Sequence, residues 1–356
     1  MAAYTTIDDP SAYFKVQLYT GTGSSHAVSF NDTDTNMQPD MVWIKQRSDT
    51  NDHNLFDAVR GTGKLIRPNG TNAEGDTSEG VKSFDSDGFT CGTNSSLNGS
   101  GSDYASRNWK MGTTSVPSGG STTPSAVSFN TDAGMGVYKY TGTGSAATIA
   151  HGLGAAPDCV ITKNLDTGTD YWNVNIFSVL GNDGRLYLND TSDNSASSAP
   201  WNDTAPTSTL IHLGTSGETN SGGQEVVMYA FVNKKGFSRF GRFRGNGAVD
   251  GSFVFTGFRP AFLLIKKYSG AGDGWYMVDN TNNPKNVVNK NFFADTTGAL
   301  STAGTAASDK NMDFLSNGFK VRTTNGEVNQ SNQQYVYMAF AEFPMVSSNS
   351  KAGTAR

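Results

Sequence analysis

The chain has 356 residues, of which 36% are hydrophobic and only 17% charged, with 21 Phe, 13 Tyr and 5 Trp. So few charges argue against a helical protein, whose wet faces carry Glu, Lys and Arg, and so many aromatics exclude a disordered one. A net charge of −5 leaves no global field to recruit nucleic acid or an anionic membrane, and no stretch approaches the length of a transmembrane helix.

The first ten residues, Met1 to Pro10, lack both the basic and the apolar region of a signal peptide. Synthesis in the cytoplasm without secretion by that route is expected. Tyr19-Thr20-Gly21-Thr22-Gly23 comes next, its paired glycines suited to a tight turn or bulge that needs positive φ. Pro39 then opens the run Met41-Val42-Trp43-Ile44, closed by Lys45. That run is apolar on both alternating faces, as in a central strand covered on both sides, with proline at its entrance. Asn54 stands nine residues after the lysine and Phe56 eleven. Asp85-Ser86-Asp87-Gly88 reads as a hairpin turn, and Asn98, Tyr104 and Trp109 close the unit.

The same series returns twice. Tyr140-Thr141-Gly142-Thr143-Gly144 is followed by Pro157, Lys163, Trp172, Val174, Asn220, Val226 and Phe231. Phe243-Arg244-Gly245-Asn246-Gly247 is followed by Pro260, Lys266, Trp275, Met277, Asn329, Tyr335 and Phe340. Proline and lysine sit six apart every time, and each asparagine precedes its aromatic by eleven. Length varies mainly between lysine and asparagine, at 53, 57 and 63 residues, which places the insertions in loops on a fixed scaffold. The expected architecture is all-β: three tandem β-sandwich or jelly-roll-like repeats of about 100 residues. The repeats fall at 1–112, 125–234 and 235–345. A flexible Ser/Thr/Gly/Pro linker spans 113–124, and 346–356 forms a loose tail. The short junction near Asn233 to Gly236 suggests that the second and third copies pack as a pair, with the first more independent. Cys91 and Cys159 fall in different copies, so no disulfide framework is expected.

The opening Thr5 to Phe14, the Tyr-Thr-Gly-x-Gly units, the segment Trp201 to Ser208 and the close Tyr337 to Pro344 resemble a family of repeat-containing, tail-fibre-like structural proteins of marine tailed phages. The resemblance covers nearly the whole chain. It implies a virion protein present in several copies per particle, a homo-oligomer with trimeric assembly as one form, whose partners are other tail or capsid subunits. A tail or fibre component with host-surface contact is the first reading. A capsid decoration or head-fibre protein is the second, and a glycan-cleaving depolymerase the third.

Chemistry-bearing residues are sparse. The four histidines show no metal-ligand spacing, Gly-x-Gly is followed by no phosphate-binding helix, and scattered acids mark no catalytic pair. No enzyme activity and no cofactor are expected. Asp32, Asp34, Asp85 and Asp87 offer alternating oxygens of the kind calcium takes, with ordinary turns as the competing reading. Trp201 with Asn202 and Asp203, in the region of variable length, is the candidate for glycan contact. Lys234, Lys235, Arg239, Arg242 and Arg244, interleaved with phenylalanines, are the candidate for docking an acidic neighbouring subunit. Neither nucleic-acid binding nor membrane insertion is expected.

Overall fold

The computed structural model describes residues 4–30, 35–270, 272–304, 306–349 and 351–352. Among these residues it is all-β, its few helices being single turns in the segments that flank the strands. Three main sheets carry one strand order. In the first, the opening strand Phe14–Thr20 pairs with the closing strand Asp103–Trp109. That strand pairs with the proline strand Met41–Gln46, which pairs with a fourth strand, Asn54–Asp57. The second has Met135–Thr141, Glu225–Phe231, Cys159–Asn164 and Asn173–Ile176 in the same places. The third has Ser238–Arg244, Gln334–Pro344, Phe258–Lys267 and Tyr276–Asp279.

A smaller sheet, formed by the strands between opening and closing, covers each main sheet and completes a lobe. In the first lobe Val42 and Ile44 face Val28 and Phe89 across this interior, while Met41 and Trp43 face the opposite way into a core shared by all three lobes. The two-faced apolar run after each proline therefore has two covers, and every residue of the three proline strands is buried.

The Tyr-Thr-Gly-x-Gly turns and the distant asparagines form one latch in each lobe. Asn98 Oδ1 accepts from Thr22 N at 2.8 Å, Asn220 Oδ1 from Thr143 N at 2.8 Å, and Asn329 Oδ1 from Asn246 N at 3.0 Å. Each amide Nδ2 donates to carbonyls on the other side, among them Gly92, Gly214 and Thr323. The asparagines end one-turn helices whose caps, Asn94, Ser216 and Asn325, accept backbone N–H groups two residues on. The two glycines of each turn serve different needs. A Cβ on Gly21, Gly142 or Gly245 would lie 2.3 Å from a backbone carbonyl oxygen, whereas Gly23, Gly144 and Gly247 sit at φ near +70° (72°, 71° and 70°). Because the obstacle is main chain, Gly142→Ala should cost about 1–3 kcal/mol in chemical denaturation.

The lobes close into a ring through equivalent contacts. Trp172 Nε1 donates to Arg67 O of the first lobe, and Trp275 Nε1 to Tyr187 O of the second. His53, hydrogen-bonded at Nδ1 by the Trp43 indole, reaches Phe293 O of the third through Nε2. Backbone bonds repeat the circuit: Glu74 N to Leu165 O, Asn194 N to Tyr268 O, and Leu300 N to Arg47 O. Pairing of Trp43 with Leu55, Ile161 with Val174 and Leu264 with Met277 shows that Leu55, not Phe56, is the counterpart of Val174 and Met277. The loop after Lys45 is one residue shorter, so His53 rather than Asn54 stands where the other lobes have tryptophan. Trp109, Phe231 and Phe340 converge at the centre, with Phe340 5.8 Å from Trp109 and 5.9 Å from Phe231 between ring centroids.

This arrangement corrects two expectations. The first lobe is not set apart, since Phe14 and Trp109 pack directly on Phe340 and Phe262. Residues 113–124 are not a free linker: Thr122 N donates to Thr148 O at 3.0 Å and Ser121 N to Thr148 Oγ1 at 2.9 Å, laying the segment along the second lobe. Part of the tail is also tied down, through Ser348 N on Asp8 Oδ1.

Lys45, Lys163 and Lys266 are fully buried, and burial pushes each ammonium down to about 8. Lys163 Nζ donates to Thr71 O and Lys266 Nζ to Thr191 O, each in the preceding lobe, while Lys45 lies over the Phe292 ring of the third. A folded-state value below the unfolded one means that the unfolded chain holds more protons between about 8 and 10.4, so these groups add stability as pH rises through that window. Buried Cys91, pushed up to about 12, and Cys159, also raised, act in the opposite sense. The difference between wild type and Lys163→Met cancels them. Measured by denaturation, that difference should move in favour of wild type by roughly 1–3 kcal/mol from pH 7.5 to 10.

Candidate functional site

The opening strand of the third lobe, Ser238–Arg244, is the outermost strand of its main sheet. Its counterpart in the second lobe is not, because the strand Ala126–Asn130 pairs with it. The cause lies in the connections. Residues 110–134 join the first lobe to the second and have length enough to supply that added strand. Residues 232–237, between the second and third, turn back at once through a bridge between Lys234 and Ser238.

Alternation decides what the edge presents. Ser238, Phe240 and Phe243 are buried, whereas Arg239, Arg242 and Arg244 are exposed. Phe243 stacks on Tyr335 at 4.9 Å, anchoring the strand from within. On the open side Asn233 Oδ1 accepts from Phe240 N, and Arg244 O accepts from Ser252 Oγ. Successive residues of an antiparallel strand point their backbone groups to opposite sides. Phe240 O, both backbone groups of Arg242 and Arg244 N therefore face outward between these two caps.

A cleft of about 650 Å³ runs beside this edge, bounded by the outer strand Phe253–Phe255 and by Asp158 and Val179 of the second lobe. Val254 is buried, but Phe253 and Phe255 are 46% and 53% exposed. The five predicted basic residues divide. Lys234 Nζ donates to Thr131 O at 2.6 Å, and Lys235 lies 4.2 Å from the Tyr4 ring centroid. Arg239 stands by the Tyr337 hydroxyl and near Asp158, whose carboxyl burial nonetheless raises. Among the described residues no carboxylate pairs with Arg242 or Arg244, and both remain available. The sequence reading did not include Phe253 and Phe255. Their alternation around one valine was the available signal.

The other candidates are placed differently. Trp201 is fully buried, a correction to its reading as an exposed glycan platform: it ends the helix Ser198–Trp201, capped by Ser197, and packs edge-on to Phe177 at 5.6 Å. Asn202 and Asp203 are exposed beside it in left-handed backbone, with no aromatic platform from Trp201. Asp85 accepts from Ser83 Oγ and Thr90 Oγ1, and Asp87 Oδ1 from Met37 N, so both carboxylates already serve the hairpin and its neighbours. Asp32 and Asp34 lie outside the described residues. Among the described residues no group of three or more His, Cys, Asp or Glu side chains is placed to hold a metal ion. Burial drives His53 well below its ordinary value, which keeps it neutral in its structural bond to Phe293.

Fold and edge together define an all-β, three-lobed body in which the opening strands of the first and third lobes stay at a sheet edge, the third one carrying the exposed arginines. A family model described as a domain of unknown function, DUF7483, matches residues 9–344, and the chain belongs to that family. Neither the curated proteins nor the solved structures include a match.

Proposed function

We propose that this protein is a non-enzymatic structural component of a tailed-phage virion, of tail or fibre type, built by triplication of one β-sandwich module. The observation that carries the reading is the closed ring of lobes around one apolar centre. Three equivalent junctions within a single chain imitate a cyclic trimer and suit a position on a three-fold or pseudo-three-fold particle axis. Buried asparagines form the latches, and buried Lys163, Lys266 and the Arg107–Asp279 pair bridge the lobes, which fits a rigid building block. The sequence resemblance supplies the phage context, and the open basic edge supplies a place for a neighbouring subunit.

Gold-labelled antibody against the chain, imaged on intact particles, tests the reading. Label at the tail supports the proposal, label over the head favours a capsid decoration protein, and label on neither contradicts both. Release of reducing ends from host polysaccharide by the purified protein would instead favour a glycan-cleaving enzyme.

A further inference from the structure

We propose that the open side of the third lobe takes up an extended, acidic segment of another protein chain as an added strand, antiparallel to Ser238–Arg244. This deepens the structural reading above and rests on it only for the identity of the partner.

The chain itself shows how such a side is closed. In the second lobe the equivalent side is covered in cis by residues 113–130. Thr122 meets the small-sheet strand Ala147–Ala150, and Ala126–Asn130 adds antiparallel to Met135–Thr141. Val127 and Phe129 of that added strand plug the interior of the lobe. Ser128 faces the first lobe, donating from Oγ to Asp40 Oδ1 at 2.9 Å. The third lobe has the same edge and no such segment. Gly241 stands where the second lobe has Tyr138, both being the residue three beyond the start of the opening strand. Phe253 and Phe255, on the counterpart of the strand that Thr122 meets, remain half in water. The backbone groups left between the Asn233 and Ser252 caps suffice for a short ladder, and main-chain pairing of this kind is how sheets accept extended peptides.

Charge selects the occupant. By register, Arg242 corresponds to Lys139, which lies opposite Ala126 in the covered lobe, and Arg244 corresponds to Thr141 two residues further. A strand placed likewise would set two alternate side chains against two arginines that have no ion-pair partner among the described residues. Acidic residues at those positions, with an apolar residue between them directed at the phenylalanines, complement the site.

A labelled peptide of residues 113–130 carrying Pro124→Glu, Ser125→Val and Ala126→Glu serves as the probe, added to the full-length protein. Saturable binding is expected. It should weaken about tenfold in Arg242→Glu/Arg244→Glu and on raising ionic strength, with slowed amide exchange confined to Phe240–Arg244. Arg242→Pro removes one outward N–H without touching the pairs to Gln334–Pro344, and should also abolish binding. Equal binding to all variants, or no slowing of exchange in that strand, would overturn the proposal. So would a concentration-dependent dimer lost in the same variants, which would place a second copy on the edge. None of these outcomes depends on where the protein sits in a particle, so the virion reading and this one fail separately.

Discussion

Phe340→Ala should lower the unfolding free energy by about 3–5 kcal/mol, the range for removing a fully packed aromatic. The effect should appear in all three lobes at once. Phe340 is 1% exposed. Its ring lies 5.1 Å from Phe14 and 5.8 Å from Trp109 of the first lobe, and 5.9 Å from Phe231 of the second. Phe237, Phe240 and Phe262 surround it within the third. The cavity left by truncation would open where the closing strands of three sheets meet, and interiors packed this densely relax only in part. Guanidinium denaturation followed by circular dichroism should give a single transition moved to lower denaturant. A second, earlier transition of about one third of the amplitude would mean that the third lobe unfolds alone.

Asp279→Ala should cost a similar amount, about 3–5 kcal/mol, for an electrostatic reason. Arg107 of the first lobe and Asp279 of the third form a buried ion pair, Nη2 to Oδ2 at 2.7 Å, with the guanidinium over the Phe292 ring at 4.9 Å. Removing the carboxylate strands a charge away from water. The ring of lobes supplies its own control. At the equivalent junction between the second and first lobes, Tyr229 donates to Asp57 Oδ2 at 2.7 Å. At the third junction the corresponding residues, Met338 and Ile176, are both apolar and lie in the shared core. Arg107→Met/Asp279→Ile copies that third solution. It should recover stability to within about 2 kcal/mol of wild type, because replacing a buried pair with matched apolar groups is often neutral. A double variant as unstable as Asp279→Ala would show that Asn282, which donates N and Nδ2 to Asp279, carries the junction instead.

How much of this was legible in the sequence follows from what each residue needs. The proline-to-lysine runs were readable because a strand covered on both faces must be apolar at every position. The glycines of the turns were readable because close approach and positive φ leave no other choice. The asparagine latch showed as a constant spacing without a partner. An eleven-residue offset fixes strand length but does not say which turn the amide reaches. His53 was hidden by a one-residue loop deletion that moved it out of step with Trp172 and Trp275. Trp201 is illegible as a core residue because a region of variable length reads as exposed loop, whereas a one-turn helix folds its ring onto Phe177. The shared centre was least visible of all: alternation marks a face as apolar but does not distinguish a cover within the same unit from one in another. For the same reason the open edge escaped notice, since it is defined by the length of a connection elsewhere in the chain.

Amide hydrogen exchange of the three closing strands, Asp103–Trp109, Glu225–Phe231 and Gln334–Pro344, compares the lobes within one experiment. If one core serves all three, their slowest amides must open with a common free energy and a common dependence on denaturant. Opening of any one strand well below that value, while the other two stay protected, would mean three separate domains on a string.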